Sequence, residues 1–230
     1  MQFGVVRFYG SNCDWDCAHV IGRVAGAPVR FVRHDEDDLA DIDCVVLPGG
    51  FSYGDYLRAG AMAAHTPVME TVRTFASAGR PVLGICNGFQ VLCEAGLLPG
   101  ALMVNGGLRF VCHPTHVRVE DNETPFTMPM EPGSVLALPV AHHQGNYQPP
   151  PGRFDARVVL RYCDPTGSIS AEANPNGSWD NVAGIANLRG NVLGLMPHPE
   201  RAAESILGSR DGLGLFESVR SWWEGGTAYV

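Results

Sequence analysis

The sequence predicts an α/β fold: an open, mostly parallel central sheet with flanking helices, plus extra antiparallel strands in the second half. In the first half, short apolar runs alternate with helix-compatible segments. Strands that alternate with helices pair in parallel through right-handed crossovers. In the second half, strand-like segments follow one another across turn-rich connections, which favours antiparallel pairing. In such a sheet, chemistry collects where the parallel strands end.

Four strands and two helices are predicted in the first half. A turn and N-cap at 11–14 lead into a helix that runs to about Ala25, and a second helix-compatible stretch runs from Tyr56 to about Ala78. The acidic tract 34–38 is predicted to be a solvated loop. The predicted strands cover 3–9, 28–32, 44–47 and 81–85.

The second half contains five strand-like segments and ends in a helix. A proline-rich stretch, 148–152, is its most loop-like part. Residues 211–223 predict a closing amphipathic helix, and the whole chain, 1–230, is predicted to form one domain. The strand-like segments lie around 108–119, 134–141, 154–162, 182–188 and 192–196. The inner face of the last helix is predicted to consist of Leu213, Leu215, Phe216, Val219, Trp222 and Trp223.

Composition and charge exclude several classes of protein. Apolar residues make up 45% of the 230 residues and charged residues 17%, which is typical of a globular protein rather than a disordered one. The net charge is −8, and the 16 basic residues are all arginine. Because no basic cluster is present, nucleic acid and anionic membranes are not expected as partners. Because no lysine is present, Schiff-base chemistry and a P-loop are excluded.

The seven cysteines are scattered along the chain without a C-x-x-C pair. This spacing does not support a zinc knuckle or a dithiol redox site, and no metal site is predicted. The sequence carries no signal-peptide pattern and no apolar run of transmembrane length. We therefore expect a cytoplasmic, reduced protein.

The most informative segment is Gly-Ile-Cys-Asn-Gly, residues 84–88. A short apolar strand precedes it and a helix-like segment follows, which is the context of a nucleophile elbow with sulfur in place of a serine oxygen. The flanking glycines permit a sharp turn, and the helix N-terminus behind Cys86 favours a reactive thiol. The alternative interpretation is that Cys86 is a buried core cysteine.

A nucleophilic thiol needs a base, and the base needs an orienting partner. The best candidates are His198 and Glu200, in the string Pro-His-Pro-Glu that follows an apolar strand. Prolines on both sides stiffen the backbone and favour a fixed imidazole beside a carboxylate. Alternatively, His198 is a turn residue bonded to the backbone.

A third segment, Pro-Gly-Gly at 48–50, ends another predicted strand. The amide of Gly50 together with the amide of Asn87 makes a candidate oxyanion hole, whereas the alternative is an ordinary glycine-rich turn. The chain lacks G-x-G-x-x-G after its first strand and lacks a Walker sequence. A dinucleotide site and ATP binding by this chain are therefore not supported.

Taken together, three strings resemble those of the class I (triad) glutamine amidotransferases. They are Pro-Gly-Gly-Phe-Ser-Tyr-Gly-Asp (48–55), Gly-Ile-Cys-Asn-Gly-Phe-Gln (84–90) and Met-Pro-His-Pro-Glu-Arg (196–201). The resemblance covers nearly the whole chain and is strongest for a glutaminase subunit type of purine biosynthesis. It implies a flavodoxin-like sheet.

The resemblance also implies roles for single residues. Cys86 attacks the carboxamide of glutamine, His198 shuttles protons and Glu200 orients the imidazole. Gly50 and Asn87 match the oxyanion-hole positions, and Gln90 matches a position that lines the glutamine pocket.

Ammonia would pass to a large ATP-dependent synthetase subunit, often accompanied by a small third subunit. No cofactor is expected on this chain, since ATP and Mg²⁺ belong to the synthetase. A further expectation concerns the glycine-rich loop 48–58. It is a candidate mobile element whose ordering by the partner would switch on activity.

One stretch departs from the pattern of this subunit type, which usually reads Ala-His-Gly-Glu-Gly. Here the corresponding stretch is Ala-His-His-Gln-Gly, so His143 and Gln144 replace a glycine and a glutamate. The retained His142 is not assigned a catalytic role. Two other functions stay open at this point: a different thiol hydrolase on a similar sheet, and a non-catalytic regulatory subunit.

Overall fold

A nine-stranded sheet and a two-stranded sheet contain all eleven strands of the described residues, 1–225, in this computed structural model. The predicted domain, 1–230, includes residues 226–230, which lie outside the described part of the chain. The strands are β1 (Phe3–Arg7), β2 (Val29–Arg33), β3 (Cys44–Leu47), β4 (Val82–Ile85), β5 (Ala101–Met103), β6 (Val111–Val119), β7 (Val135–His142), β8 (Asn146–Gln148), β9 (Ala156–Cys163), β10 (Val182–Asn187) and β11 (Val192–Leu195).

Four α-helices and several single helical turns connect the strands. The α-helices are α1 (Asp14–His19), α2 (Pro67–Ser77), α3 (Asn87–Glu94) and α4 (Leu213–Glu224). The first of these continues as a π-helical turn, Val20–Val24. Turns of 3₁₀-helix lie at Ser52–Asp55, Ala63–His65, Trp179–Asn181, Pro199–Arg201 and Ser205–Leu207.

The large sheet has the order β2-β1-β3-β4-β11-β10-β9-β6-β7. The first five strands are parallel neighbours, whereas the last four join antiparallel. The predicted α/β fold, with extra antiparallel strands in the second half, is therefore confirmed. Since β3, β4 and β11 are adjacent and parallel, the segments that follow them meet at one edge of the sheet.

Helix α3 packs unusually close to this central part of the sheet. Every residue of β3, β4 and β11 is buried, as expected for parallel strands covered on both faces. A Cβ on Gly88 would lie 2.0 Å from the Leu47 carbonyl oxygen, and one on Gly194 would lie 2.2 Å from the Phe89 ring. Only glycine leaves room for this contact between helix and sheet.

Some element boundaries differ from the predicted ones. The helix expected from Tyr56 begins at Pro67, where an extended Thr66 and a proline in the first turn mark a typical helix start. Trp222 is buried as predicted, but Trp223 is 39% exposed and faces away from the core. Strands β5 and β8 were not predicted because three residues carry too little periodicity to register as strands.

None of the described helices is long and apolar enough to cross a membrane.

The close contact of α3 generates a stability prediction. Replacing Gly88→Ala places a methyl group against backbone atoms of β3, so we expect the free energy of unfolding to fall by about 3 kcal/mol or more. Gly107→Ala is the control, since a Cβ there would meet no described residue other than its chain neighbours within 4 Å. Chemical denaturation compares the two variants, and equal midpoints would contradict the steric explanation.

Candidate active site

Cys86 lies on a strained turn between β4 and α3. Its backbone has φ 49° and ψ −102°, a left-handed conformation that is costly for a residue with a side chain. The side chain is 5% exposed, and its sulfur lies 3.7 Å from the carbonyl oxygen of Ala141. The predicted nucleophile elbow is present in geometry: strand, strained cysteine, helix.

His198 follows the neighbouring strand β11 and is fixed at both its backbone and its ring. Its amide donates a hydrogen bond to the carbonyl of Pro139 at 2.8 Å, which ties it to β7. The single 3₁₀ turn after it places Glu200 beside the ring, with Glu200 Oε1 2.6 Å from His198 Nδ1. Both side chains are almost fully buried. The structure therefore brings together the base and the orienting carboxylate that the sequence predicts.

Electrostatics favour the protonated imidazole. Burial alone would lower the pKa of His198, but the negative charges of Glu200 and of Cys86 outweigh burial and raise this pKa well above its ordinary value. No described residue hydrogen-bonds to the buried atom His198 Nε2. Nε2 is thus available to exchange a proton with a group on the Cys86 side of the ring.

The two backbone amides predicted to form an oxyanion hole have no backbone hydrogen-bond partner among the described residues. Asn87 is the first residue of α3, where amides have no partner within the helix. Gly50 faces Ser11 in an isolated antiparallel bridge. The Phe51 and Asn12 amides donate the hydrogen bonds of this bridge, and the Gly50 amide has no partner within residues 1–225. Gly50 also lines the same cavity as Cys86.

The site opens into a cavity of about 240 Å³. Both Cys86 and His198 line it, so a small polar substrate would reach the thiol and the imidazole together. The remaining lining residues are Asn12, Cys13, Gly50, Phe51, Phe110, Cys112, Ala141 and Arg201.

Gln90 lies behind this cavity rather than in its lining. Its side chain is 6% exposed, and its Oε1 accepts a hydrogen bond from Asn87 Nδ2 at 2.9 Å. Its Nε2 donates to the Gln144 carbonyl at 2.6 Å. Gln90 therefore connects α3 to the turn that contains the two unusual residues, His143 and Gln144.

The pair His142 and His143 does not form a common site. His142 is buried, whereas His143 is exposed, because adjacent residues at the end of a strand point to opposite faces. The two side chains therefore do not converge on one ligand.

Cys13 and Arg201 are neighbours of the base that sequence reasoning did not single out. Cys13 Sγ is fully buried and lies 4.0 Å from His198 Nδ1, and Arg201 Nη2 donates to it at 2.9 Å. Ligand atoms of Cys13, His198 and Glu200 lie within 4.8 Å of one another, so they could hold a metal ion. The adjacent guanidinium and the short His198–Glu200 bond oppose a cation at that point.

The segment Phe51–Arg58, called here the 51–58 loop, borders the cavity in a strained conformation. Tyr53, Asp55 and Leu57 all have left-handed φ angles, between 54° and 68°, and such residues cost roughly 1–3 kcal/mol each. The loop is held to α3 by a hydrogen bond from the Ser52 amide to Asn87 Oδ1 at 3.1 Å. The buried Asp55 Oδ1 finds no partner among the described residues, and burial raises the pKa of this carboxyl.

Comparison with known proteins places this geometry in a family. The model of the CobB/CobQ-like glutamine amidotransferase domain matches residues 1–223. The phosphoribosylformylglycinamidine synthase subunit PurQ of Koribacter versatilis is 53% identical over 224 residues, which cover 95% of this chain and 97% of the relative. PurQ of Aquifex aeolicus is 51% identical, covering 96% of this chain and all of the relative.

Solved structures of similar fold are also known. A chain in the structure of PurLQS from Thermotoga maritima superposes with a TM-score of 0.88 at 42% identity, covering 96% of this chain and 98% of that one. A glutamine amidotransferase from Thermotoga maritima superposes with a TM-score of 0.60 at 16% identity, covering 99% of this chain and 86% of that one. The second similarity shows the fold alone.

The charge environment of His198 yields a titration prediction. The pKa of His198 in the folded state lies above its value in the unfolded chain, which is about 6.5. Protonation of His198 therefore stabilises the fold in full below about pH 6.5. This contribution is lost as the pH rises through the folded-state pKa. The substitution Glu200→Gln keeps an acceptor for Nδ1 but removes the charge, so the NMR titration midpoint of His198 should fall.

Glu204→Gln is the control for this titration, because Glu204 contacts the exposed His19 instead. It should leave the His198 midpoint unchanged. An unchanged midpoint in Glu200→Gln would show that the carboxylate does not set the charge of the imidazole.

Proposed function

This chain belongs to the CobB/CobQ-like glutamine amidotransferase family, and we propose that it is the glutaminase subunit of a phosphoribosylformylglycinamidine synthase. The observation that carries the proposal is the buried arrangement of Cys86, His198 and Glu200 at the ends of two adjacent strands. Relatives that are 53% and 51% identical to this chain over nearly their full length are PurQ subunits. The reaction is hydrolysis of glutamine to glutamate and ammonia.

In the first half of the reaction, His198 Nε2 holds the proton of the Cys86 thiol, as its raised pKa favours, and the thiolate sulfur attacks the carboxamide carbon of glutamine. The negative charge that develops on the carboxamide oxygen is stabilised by the amides of Gly50 and Asn87. The tetrahedral intermediate then collapses with cleavage of the C–N bond. His198 returns the proton to the leaving nitrogen, so that ammonia departs and a γ-glutamyl thioester remains.

In the second half, His198 takes a proton from a water molecule, which attacks the thioester carbon. Collapse of this intermediate breaks the C–S bond, and glutamate leaves while the proton on His198 restores the thiolate–imidazolium pair. Glu200 keeps a single orientation of the ring throughout, since its carboxylate holds Nδ1 and stabilises each imidazolium that forms.

The ammonia is proposed to pass to a synthetase subunit. The solved relative is part of a PurLQS assembly, and by this similarity the chain works in a complex with a large synthetase and a small third subunit. We place ATP and Mg²⁺ on the synthetase and no cofactor on this chain. We further propose a cytoplasmic location, which agrees with cysteines that are all free among the described residues.

The nucleophile is tested by mutation within the assembled complex. Cys86→Ser should lower glutaminase turnover by a factor of about 10⁴ or more, because the alkoxide needed for attack is far less accessible than a thiolate. Cys93→Ser is the matched control: burial raises the pKa of the Cys93 thiol and it lies away from the cavity. Glutamate release is the readout, and comparable turnover by wild type and Cys86→Ser would remove Cys86 from the mechanism.

A second measurement tests activation by the partner. The strained 51–58 loop predicts that the isolated chain hydrolyses glutamine slowly and that adding the synthetase raises the rate at saturating glutamine. Equal rates with and without the synthetase would show that the loop already has its working conformation in the isolated chain.

A further inference from the structure

We propose that Asn105 and Asn176 are positioning residues of the glutamine site, acting through the turn His142–Gly145, called here the wall turn. This inference rests on the function proposed above and deepens it. Neither asparagine lines the cavity. Each is nearly fully buried, and each directs its side-chain amide at the wall turn from a different loop.

Asn105 bonds to the wall turn through both its side-chain amide and its backbone. Its Oδ1 accepts a hydrogen bond from the Gly145 amide at 3.0 Å and lies 3.2 Å from His142 Nδ1. Its Nδ2 donates to the carbonyls of His142 and Arg109 at 3.0 and 2.9 Å. The backbone of Asn105 also donates to the His143 carbonyl at 2.9 Å. One residue therefore fixes both ends of the wall turn.

Asn176 holds the same turn from a second loop. Its Nδ2 donates to the Gly145 carbonyl at 2.9 Å and lies 3.4 Å from His142 Nε2. Ser178 Oγ donates to the same carbonyl at 3.1 Å. The two asparagine loops are joined to each other, since the Gly106 amide donates to the Asn176 carbonyl at 2.8 Å.

His142 completes the network as a neutral ring. Burial, together with the charge of His198, lowers its pKa to about 4. A single tautomer suits both partners: Nδ1–H donates to Asn105, and Nε2 accepts from Asn176. The ring is thus a spacer that keeps the two asparagines at a fixed separation.

The wall turn and the residue before it contact Cys86 and Gln90. The residue before it, Ala141, has its carbonyl oxygen 3.7 Å from Cys86 Sγ. Within it, the Gln144 carbonyl accepts the hydrogen bond from Gln90 Nε2. A displaced wall turn would change the shape of the cavity beside the thiol and free the Gln90 amide, while leaving His198 and Glu200 in place. The expected effect is on glutamine binding rather than on the chemical step.

The test uses the assembled complex and the substitution Asn176→Asp. The change replaces a donor by an acceptor that repels the Gly145 carbonyl and the lone pair of His142. We expect the KM for glutamine to rise about tenfold or more, with kcat changed less than about threefold, as for loss of a contact that acts on binding. Alkylation of Cys86 by iodoacetamide should stay within about threefold of the wild-type rate, because His198 and Glu200 remain in place and the reagent is small.

Asn191→Asp is the matched control. Asn191 is equally buried, and its Nδ2 donates to the carbonyls of Ala76 and Arg80 at 2.9 and 3.0 Å, beside the amino end of β11 and far from the cavity. The Asn191→Asp variant should be less stable than the wild type but have an unchanged KM for glutamine. Asn105→Asp provides an independent test of the second clamp. If either variant does not fold, the corresponding serine substitution, which retains a hydroxyl donor, takes its place.

The outcomes separate the two proposals. Lower thermal stability of Asn176→Asp with an unchanged KM, or a loss confined to kcat, would overturn the positioning role. Failure of the wild-type complex to hydrolyse glutamine would overturn the proposed function itself. An increase in KM shared by Asn191→Asp would show that general destabilisation, and not the clamp, weakens glutamine binding.

Discussion

The contact between α3 and the centre of the sheet is the constraint on which the site depends. Glycines at 88 and 194 let the helix approach the backbone of β3 and the face of β11 more closely than any side chain would allow. β4 ends at Ile85 and α3 begins at Asn87, so Cys86 alone connects them. A single residue cannot form an unstrained connection between them. The left-handed Cys86 backbone is the consequence, and the packing energy of a fully buried helix face offsets its strain.

The pairing of β4 with β11 brings Cys86 and His198 to the same edge of the sheet. The parallel register pairs Leu195 with Ile85, so the residues that follow these two strands meet without any long-range loop. Burial then makes the arrangement specific. A histidine and a glutamate with almost no exposure would be costly as isolated charges, and they are stable only as a hydrogen-bonded pair. The same low exposure strengthens the influence of their charges on a thiol beside them.

Sequence reasoning predicted the features that local patterns determine. The strands, the Cys86 turn and the Pro-His-Pro-Glu string are contiguous, and their periodicity or spacing carries the information. The helix expected from Tyr56 was wrong in its start, since the backbone of Leu57 is left-handed and cannot continue a helix. The hydrophobic pattern of the sequence does not show this conformation. Asn105 and Asn176 were not predicted, because each lies in a turn-rich loop where asparagine is common. Their shared target becomes visible only when the loops are folded against one another.

Asn87 shows how the parts of the site are coupled. Its amide is the proposed oxyanion donor, its Nδ2 binds Gln90, and its Oδ1 accepts the hydrogen bond that holds the 51–58 loop. A movement of the loop therefore acts on the proposed oxyanion hole and on Gln90 through one residue. If the working arrangement is only fractionally populated in the isolated chain, turnover falls by that fraction. A partner that binds the strained loop conformation would restore it by supplying the differential binding energy that the isolated chain lacks.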